Sequence, residues 1–232
     1  MKRFYKEVAI GGETGTRTIL LDGRPVRTPA RAPLAVASDA LAEAVAAEWR
    51  AQDDRIDPRT MPMTGLANAA IDRVAPDPLA FARPLVAYAE TDLLCYRADR
   101  PAELVARQAA AWDPPLAWAR RRYDVAFEIT TGIVHRPQPE ATMRRLADAL
   151  LARDGFTLTP LSTLITITGS LVLALMHDEG AIDAAAMWAA AGVDEDWQAE
   201  KWGEDDLATR AREAHHADFA AAARFLALVK GA

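Results

Sequence analysis

The chain opens on β-prone runs punctuated by glycine and then changes to helical spacing. Val8-Ala9-Ile10 leads into the turn residues Gly11-Gly12-Glu13-Thr14-Gly15, and Thr16 to Leu21 returns as a strand. Asp22-Gly23 is a two-residue hairpin signal with Val26-Arg27-Thr28 as the next strand, so 8–28 reads as a β-hairpin or meander. Ser38 then caps a helix to about Gln52, with Leu41, Val45 and Trp49 four apart on one face. Trp49 is expected to be a structural residue, anchoring that helix on the sheet. After breaks at Asp57-Pro58 and Met61-Pro62, Thr64 to Val74 predicts a second helix with Ala67, Ala70, Ile71 and Val74 inward. Pro76, Pro78 and Pro84 mark a domain boundary.

Beyond it the pattern is almost wholly helical, with helices predicted near 79–95, 101–112, 115–123, 138–153, 159–178, 183–191 and 205–229. Pro101, Pro115, Pro139 and Pro160 each suit a first-turn position. In the helix from Pro139, Met143, Leu146 and Leu150 share a face. Ala126 to Val134 is the one β-prone piece. The fold class is therefore α+β: a small N-terminal α/β domain over 1–78, followed by a mostly α-helical domain over 79–232.

The chain is organised around Phe156 to Met176, which carries no charge. About 20 residues of helix span roughly 30 Å of bilayer, but seven of these residues are Ser or Thr, and Pro160 and Gly169 interrupt the run. A helix buried within a water-soluble domain accounts for it better than membrane insertion. Thr159 as cap, Pro160 at the first position and Gly180 as the stop frame it as one helix.

Candidate chemistry is sparse. The glycines near residue 11 lack the Lys-Ser/Thr ending of a phosphate loop. Cys95 is the single cysteine, which excludes an internal disulfide and a cysteine-based zinc site. None of His135, His177, His215 and His216 has metal-ligand spacing, and no serine sits in a nucleophile elbow. No catalytic residue, metal or cofactor is assigned. The net charge of −6 argues against a nucleic-acid binder. No cleavable signal follows Met1-Lys2-Arg3-Phe4-Tyr5.

The charge is distributed unevenly. Asp194 to Asp206 reads DEDWQAEKWGEDD, seven acids against Lys201, so this run alone accounts for the chain's net −6. It holds Trp197 and Trp202, and tryptophan is enriched at interface hot spots while charge steers association. A solvated helix with docked tryptophans is the plainer account of the same residues. Acids soon after Gly192 also suit a helix N-terminus.

Taken in order, several segments resemble one family. They are Arg3-Phe4-Tyr5-Lys6, Leu21 to Pro29, Glu48-Trp49-Arg50-Ala51-Gln52, Met61-Pro62-Met63-Thr64 and Leu66-Ala67-Asn68. Thr91 to Arg97, Gln108, Trp112-Asp113-Pro114, Gly169-Ser170-Leu171 and Trp197 to Gly203 continue the series. The chain thereby resembles the Atp-twelve family of assembly chaperones for the alpha subunit of the F-type ATP synthase. The resemblance implies a two-domain protein without catalysis that holds the free alpha subunit until the catalytic head assembles. It implies a functional acid among Asp194, Glu195 and Asp196; with the residues that follow, the expected partner contacts are Asp194, Glu195, Asp196, Trp197, Gln198, Glu200, Trp202 and Gly203, and Trp49, Asp92, Trp112 and Asp113 are expected to be structural. It implies a chain that is monomeric when free, in a bacterial cytoplasm, or in the mitochondrial matrix for a eukaryotic member without its leader. The alternative from the residues is a small-molecule enzyme using Asp92, Asp113 or Glu195 in a cleft between the domains. A helical scaffold with an unrelated partner would share the fold.

Overall fold

A computed structural model describes residues 1–13, 15–132, 134–203 and 205–231. Thr14 in the first expected turn, Ile133 in the β-prone piece and Glu204 in the acidic run lie outside the described residues. The chain forms two compact units: Met1–Pro78 with Asp154–Pro160 and Ala220–Ala232, and Leu79–Arg153 with Leu161–Phe219.

In the first unit, β1 (Val8–Glu13) pairs antiparallel with β2 (Thr16–Leu21), Val8 opposite Leu21. β2 also takes β3 (Arg24–Pro25) and β4 (Ala35–Val36). Asp22 and Gly23 both adopt positive φ, the backbone that a tight hairpin demands. The Asp22 carboxylate accepts from the N–H groups of Lys6 (3.0 Å) and Glu7 (2.8 Å), pinning the chain start. The strand expected at Val26 to Thr28 is displaced to Arg24–Pro25. Val26 still donates to the Ile19 carbonyl (2.8 Å), but the Thr28 hydroxyl donates to Asp72 at 2.6 Å, turning the chain off the sheet.

Helix α1 (Asp39–Arg50) starts at Ser38, whose hydroxyl accepts from Leu41 N–H at 3.3 Å, and buries Leu41 and Val45. Trp49 is half-buried, not fully enclosed: its ring meets Tyr5 edge-on at 5.7 Å and its carbonyl accepts from the Tyr5 hydroxyl at 2.7 Å. α2 (Pro62–Ala69) widens into a π turn through Val74. Glu48 closes its start, accepting from Met63 N–H (2.7 Å), Thr64 N–H (2.8 Å) and the Thr64 hydroxyl (2.7 Å). Ile19, Leu34, Leu41, Val45 and Met63 form the centre of the core, and Phe156 stacks on Phe225 at 6.4 Å.

The second unit contains α3 (Pro78–Ala82) from residue 79 on, α4 (Ala87–Glu90), β5 (Tyr96–Arg97) and α5 (Ala102–Tyr123). β6 (Thr130–Thr131) pairs parallel with β5, so the β-prone piece contributes two residues of strand. α5 is one helix where two were expected: Pro114 and Pro115 lie inside it, removing two N–H donors without ending it. α6 (Glu140–Leu151) follows.

The uncharged stretch is two helices, not one: α7 (Gly155–Thr168) and α8 (Leu171–Asp178). Gly169, at φ +65°, ends the first, and Ser170 caps the second by accepting from Leu173 N–H at 3.0 Å. Pro160 lies inside α7, and Asp154, not Thr159, caps its start, accepting from Thr157 N–H at 2.8 Å. The hydroxyl-rich composition has a local cause. Thr159, Thr166 and Thr168 donate to carbonyls four residues back, at 2.7–2.8 Å. Among the described residues, no helix is long and apolar enough to cross a membrane.

Candidate protein-binding surface

The acidic run begins where α9 (Ala184–Ala191) meets α10 (Val193–Trp202) at Gly192, and ends at the start of α11 (Asp206–Lys230). α5 fixes the junction from below. Trp112, fully buried, donates its indole N–H to the Ala190 carbonyl at 2.7 Å. Gln108, 2% exposed, accepts from Ala98 N–H at 2.8 Å and donates to Asp194 Oδ1 at 2.7 Å. Arg97 lies 5.2 Å over the Trp112 ring and pairs with Asp113 at 2.8 Å, leaving Asp113 largely exposed.

Intramolecular cations meet the flanks of α10. Arg107 pairs with Glu200 (2.6 Å) and with Glu103 (2.9 Å), and Lys201 reaches Glu103 at 2.9 Å. The Arg107 hydrogen bond holds the Glu200 carboxyl below its ordinary range, and Lys201 does the same for Glu103. On the other flank Arg212 pairs with Asp196, and its Nε lies 3.9 Å from Glu195.

These contacts sort the residues expected to touch a partner. Asp194 is held by Gln108, Asp196 by Arg212 and Glu200 by Arg107. Trp197 is not a surface contact, because it faces inward at 8% exposure and meets Trp202 edge-on at 5.3 Å. Gly203 ends α10 at φ +86°. Asp196, Glu200 and Lys201 are exposed but paired with charges of opposite sign, whereas Glu195, Gln198 and Trp202 form an exposed stripe at helical spacing. Trp202 is 74% exposed and Leu207, on the next helix, 77%. The sequence carried no marker for Arg107, Arg212 or Trp188 as neighbours of the acids. Each is one residue of a helix, and contact across helices leaves no local pattern.

The other carboxylates weighed for catalysis have separate engagements. Asp92 is fully buried and accepts from Leu94 N–H (3.1 Å) and Val172 N–H (3.0 Å), starting a 3-10 turn and α8 together. Burial pushes its carboxyl up to about 6, against the pull of those hydrogen bonds. Cys95 is buried, and desolvation with the nearby Asp92 charge pushes its thiol up to about 12, which makes it inert as a nucleophile.

Exposed acids together with the exposed Trp202 on α10 and Leu207 on α11 are a composition suited to contact with another protein. Comparison with known proteins adds a family. Residues 2–120 match the profile of the ATP12 chaperone protein. Atp12 from Paracoccus denitrificans is 42% identical, and its crystal structure superposes with a TM-score of 0.94 over 98% of each chain. An aspartate-to-lysine mutant of that protein is 41% identical and superposes with the same TM-score over 98% of this chain and 97% of its own. Protein atp12, mitochondrial, of Schizosaccharomyces pombe is 23% identical over 214 residues, 87% of this chain and 74% of that protein. The chain belongs to the ATP12 chaperone family and is a chaperone.

Proposed function

We propose that this chaperone binds the free alpha subunit of the F-type ATP synthase catalytic head and covers its subunit interface until the beta subunit replaces it. It acts by binding alone, is monomeric when free, and works in a bacterial cytoplasm. The observation that carries the reading is the exposed stripe Glu195–Gln198–Trp202, with Leu207 exposed on the next helix, which combines exposed apolar area with negative charge. A solitary alpha subunit presents the apolar surface meant for its neighbours, and such patches aggregate. Trp202 and Leu207 supply contact area; Glu195, Asp205 and Asp206 steer the encounter. Marginal affinity suits the task, because the chaperone must yield, and interface tuning falls mainly on dissociation.

The surface is tested by capture of co-expressed alpha subunit. Glu195→Lys and Trp202→Ala are each expected to lower recovery about tenfold or more, the range of an interface hot spot, at unchanged melting temperature. Asp194→Lys is expected to lower melting temperature as well, since it removes the acceptor of the buried Gln108 amide. Full capture by the Glu195→Lys, Trp202→Ala double variant rules the surface out.

A further inference from the structure

Beside the exposed stripe, the second unit holds a cleft of about 50 Å³ floored by Trp188 and Ile167 and walled by Gly192, Glu195, Arg212 and His215. One wall is the chain's own guanidinium, which already lies against the aromatic floor. The Arg212 Cζ lies 5.9 Å over the Trp188 ring, and its Nη2 pairs with Asp196. Gly192 keeps the room, since a Cβ there would come 3.0 Å from that Nη2. Glu195 stands on the open side, its side chain 72% exposed and its carboxylate 3.9 Å from Arg212 Nε, beyond hydrogen-bond reach. Two carboxylates thus share one guanidinium, and one negative charge is left at the mouth. An aromatic face flanked by carboxylates is what a planar guanidinium fits best, by stacking and by forked hydrogen bonds.

We propose that this cleft receives one arginine side chain of the client, and that Arg212 is its internal stand-in, displaced when the client docks. The inference rests on the client reading above and adds to it the chemistry of one contact. Client arginine takes over the carboxylates of Asp196 and Glu195, while Arg212, on an exposed stretch of α11, moves to solvent. Because one ion pair replaces another, the exchange confers specificity for a basic side chain at little net affinity, which leaves the client releasable.

The test compares capture of co-expressed alpha subunit by the wild-type chain, Arg212→Ala, Glu195→Gln and the double variant. Removing the stand-in is expected to raise capture about two- to fivefold, the scale of an exposed ion pair. Glu195→Gln is expected to lower it, and in that background the gain from Arg212→Ala shrinks. Arg212→Gln replaces Arg212→Ala if the latter melts early. Lower or unchanged capture by a well-folded Arg212 variant overturns the proposal, lower capture making Arg212 a positioning residue for α10. If the wild-type chain captures no alpha subunit, the client reading fails separately. The cleft is then tested by titrating N-acetylarginine amide and following the Trp188 indole N–H by NMR. A saturable shift, larger in Arg212→Ala and lost in Glu195→Gln, supports it; no shift in wild type or Arg212→Ala overturns it.

Discussion

Asp92 shows how a motif residue does structural work at a cost that depends on pH. Its carboxylate starts two helical segments from a fully buried position. Burial lifts its carboxyl from 3.8 to about 6. The folded chain therefore binds more protons than the unfolded chain between those values, and stability falls as pH rises through that window. At about 1.4 kcal/mol per pH unit the effect is on the order of 3 kcal/mol. Thermal melts at pH 4.5 and 7 are expected to show a steeper loss for wild type than for Asp92→Asn, which has a lower baseline stability but lacks this titration; equal slopes would contradict it. Other motif residues turn out to be fasteners of the same kind. Asp22 holds the N–H groups of Lys6 and Glu7, Glu48 closes α2, and Gln108 ties Ala98 to Asp194. Their identities were legible in the sequence, but their partners, up to 86 positions apart, were not. Glu48→Gln is accordingly expected to cost about 1–2 kcal/mol in a denaturant melt and to leave client capture unchanged.

Among the elements, periodicity located helices better than it divided them. The uncharged run 156–176 reads as one helix because apolar residues fill every face, so no moment marks the break. The break lies at Gly169-Ser170, a stop and a cap in sequence. Ser170→Ala is expected to lower stability by about 0.5–2 kcal/mol through loss of the α8 cap, read as a fall in melting temperature; no change would show that the cap is dispensable. The reverse error occurred in α5, where Pro114 and Pro115 suggested a boundary inside a continuous helix. Trp49, expected to anchor α1, packs against the core beside Tyr5 but is only partly buried, and Leu41 and Val45 are the enclosed residues of that face. Trp49→Ala should therefore cost less than the about 3–5 kcal/mol of a fully buried aromatic. α10 (Val193–Trp202) was not among the helices predicted from periodicity, and only the acids soon after Gly192 hinted at its start. Which of its faces is free depends on Arg107 and Arg212, which approach from other helices.

For the whole molecule, the net charge of −6 equals the net charge of Asp194 to Asp206, so the remainder is neutral overall. Association steered by that run should weaken with salt. Capture rates measured from 50 to 500 mM salt are expected to fall several-fold, most of it by about 0.15 M, where screening acts within roughly 8 Å. A Glu195→Lys chain should show a flatter dependence. The proposed role is to shield a free alpha subunit until its true neighbour arrives. The direct measurement is the soluble fraction of alpha subunit expressed with and without this chain, followed by addition of beta subunit to the recovered complex. Alpha subunit kept soluble, bound to the chain, and released to beta is the expected result. Alpha subunit equally insoluble in both cases, or a complex that beta cannot dissociate, would contradict it.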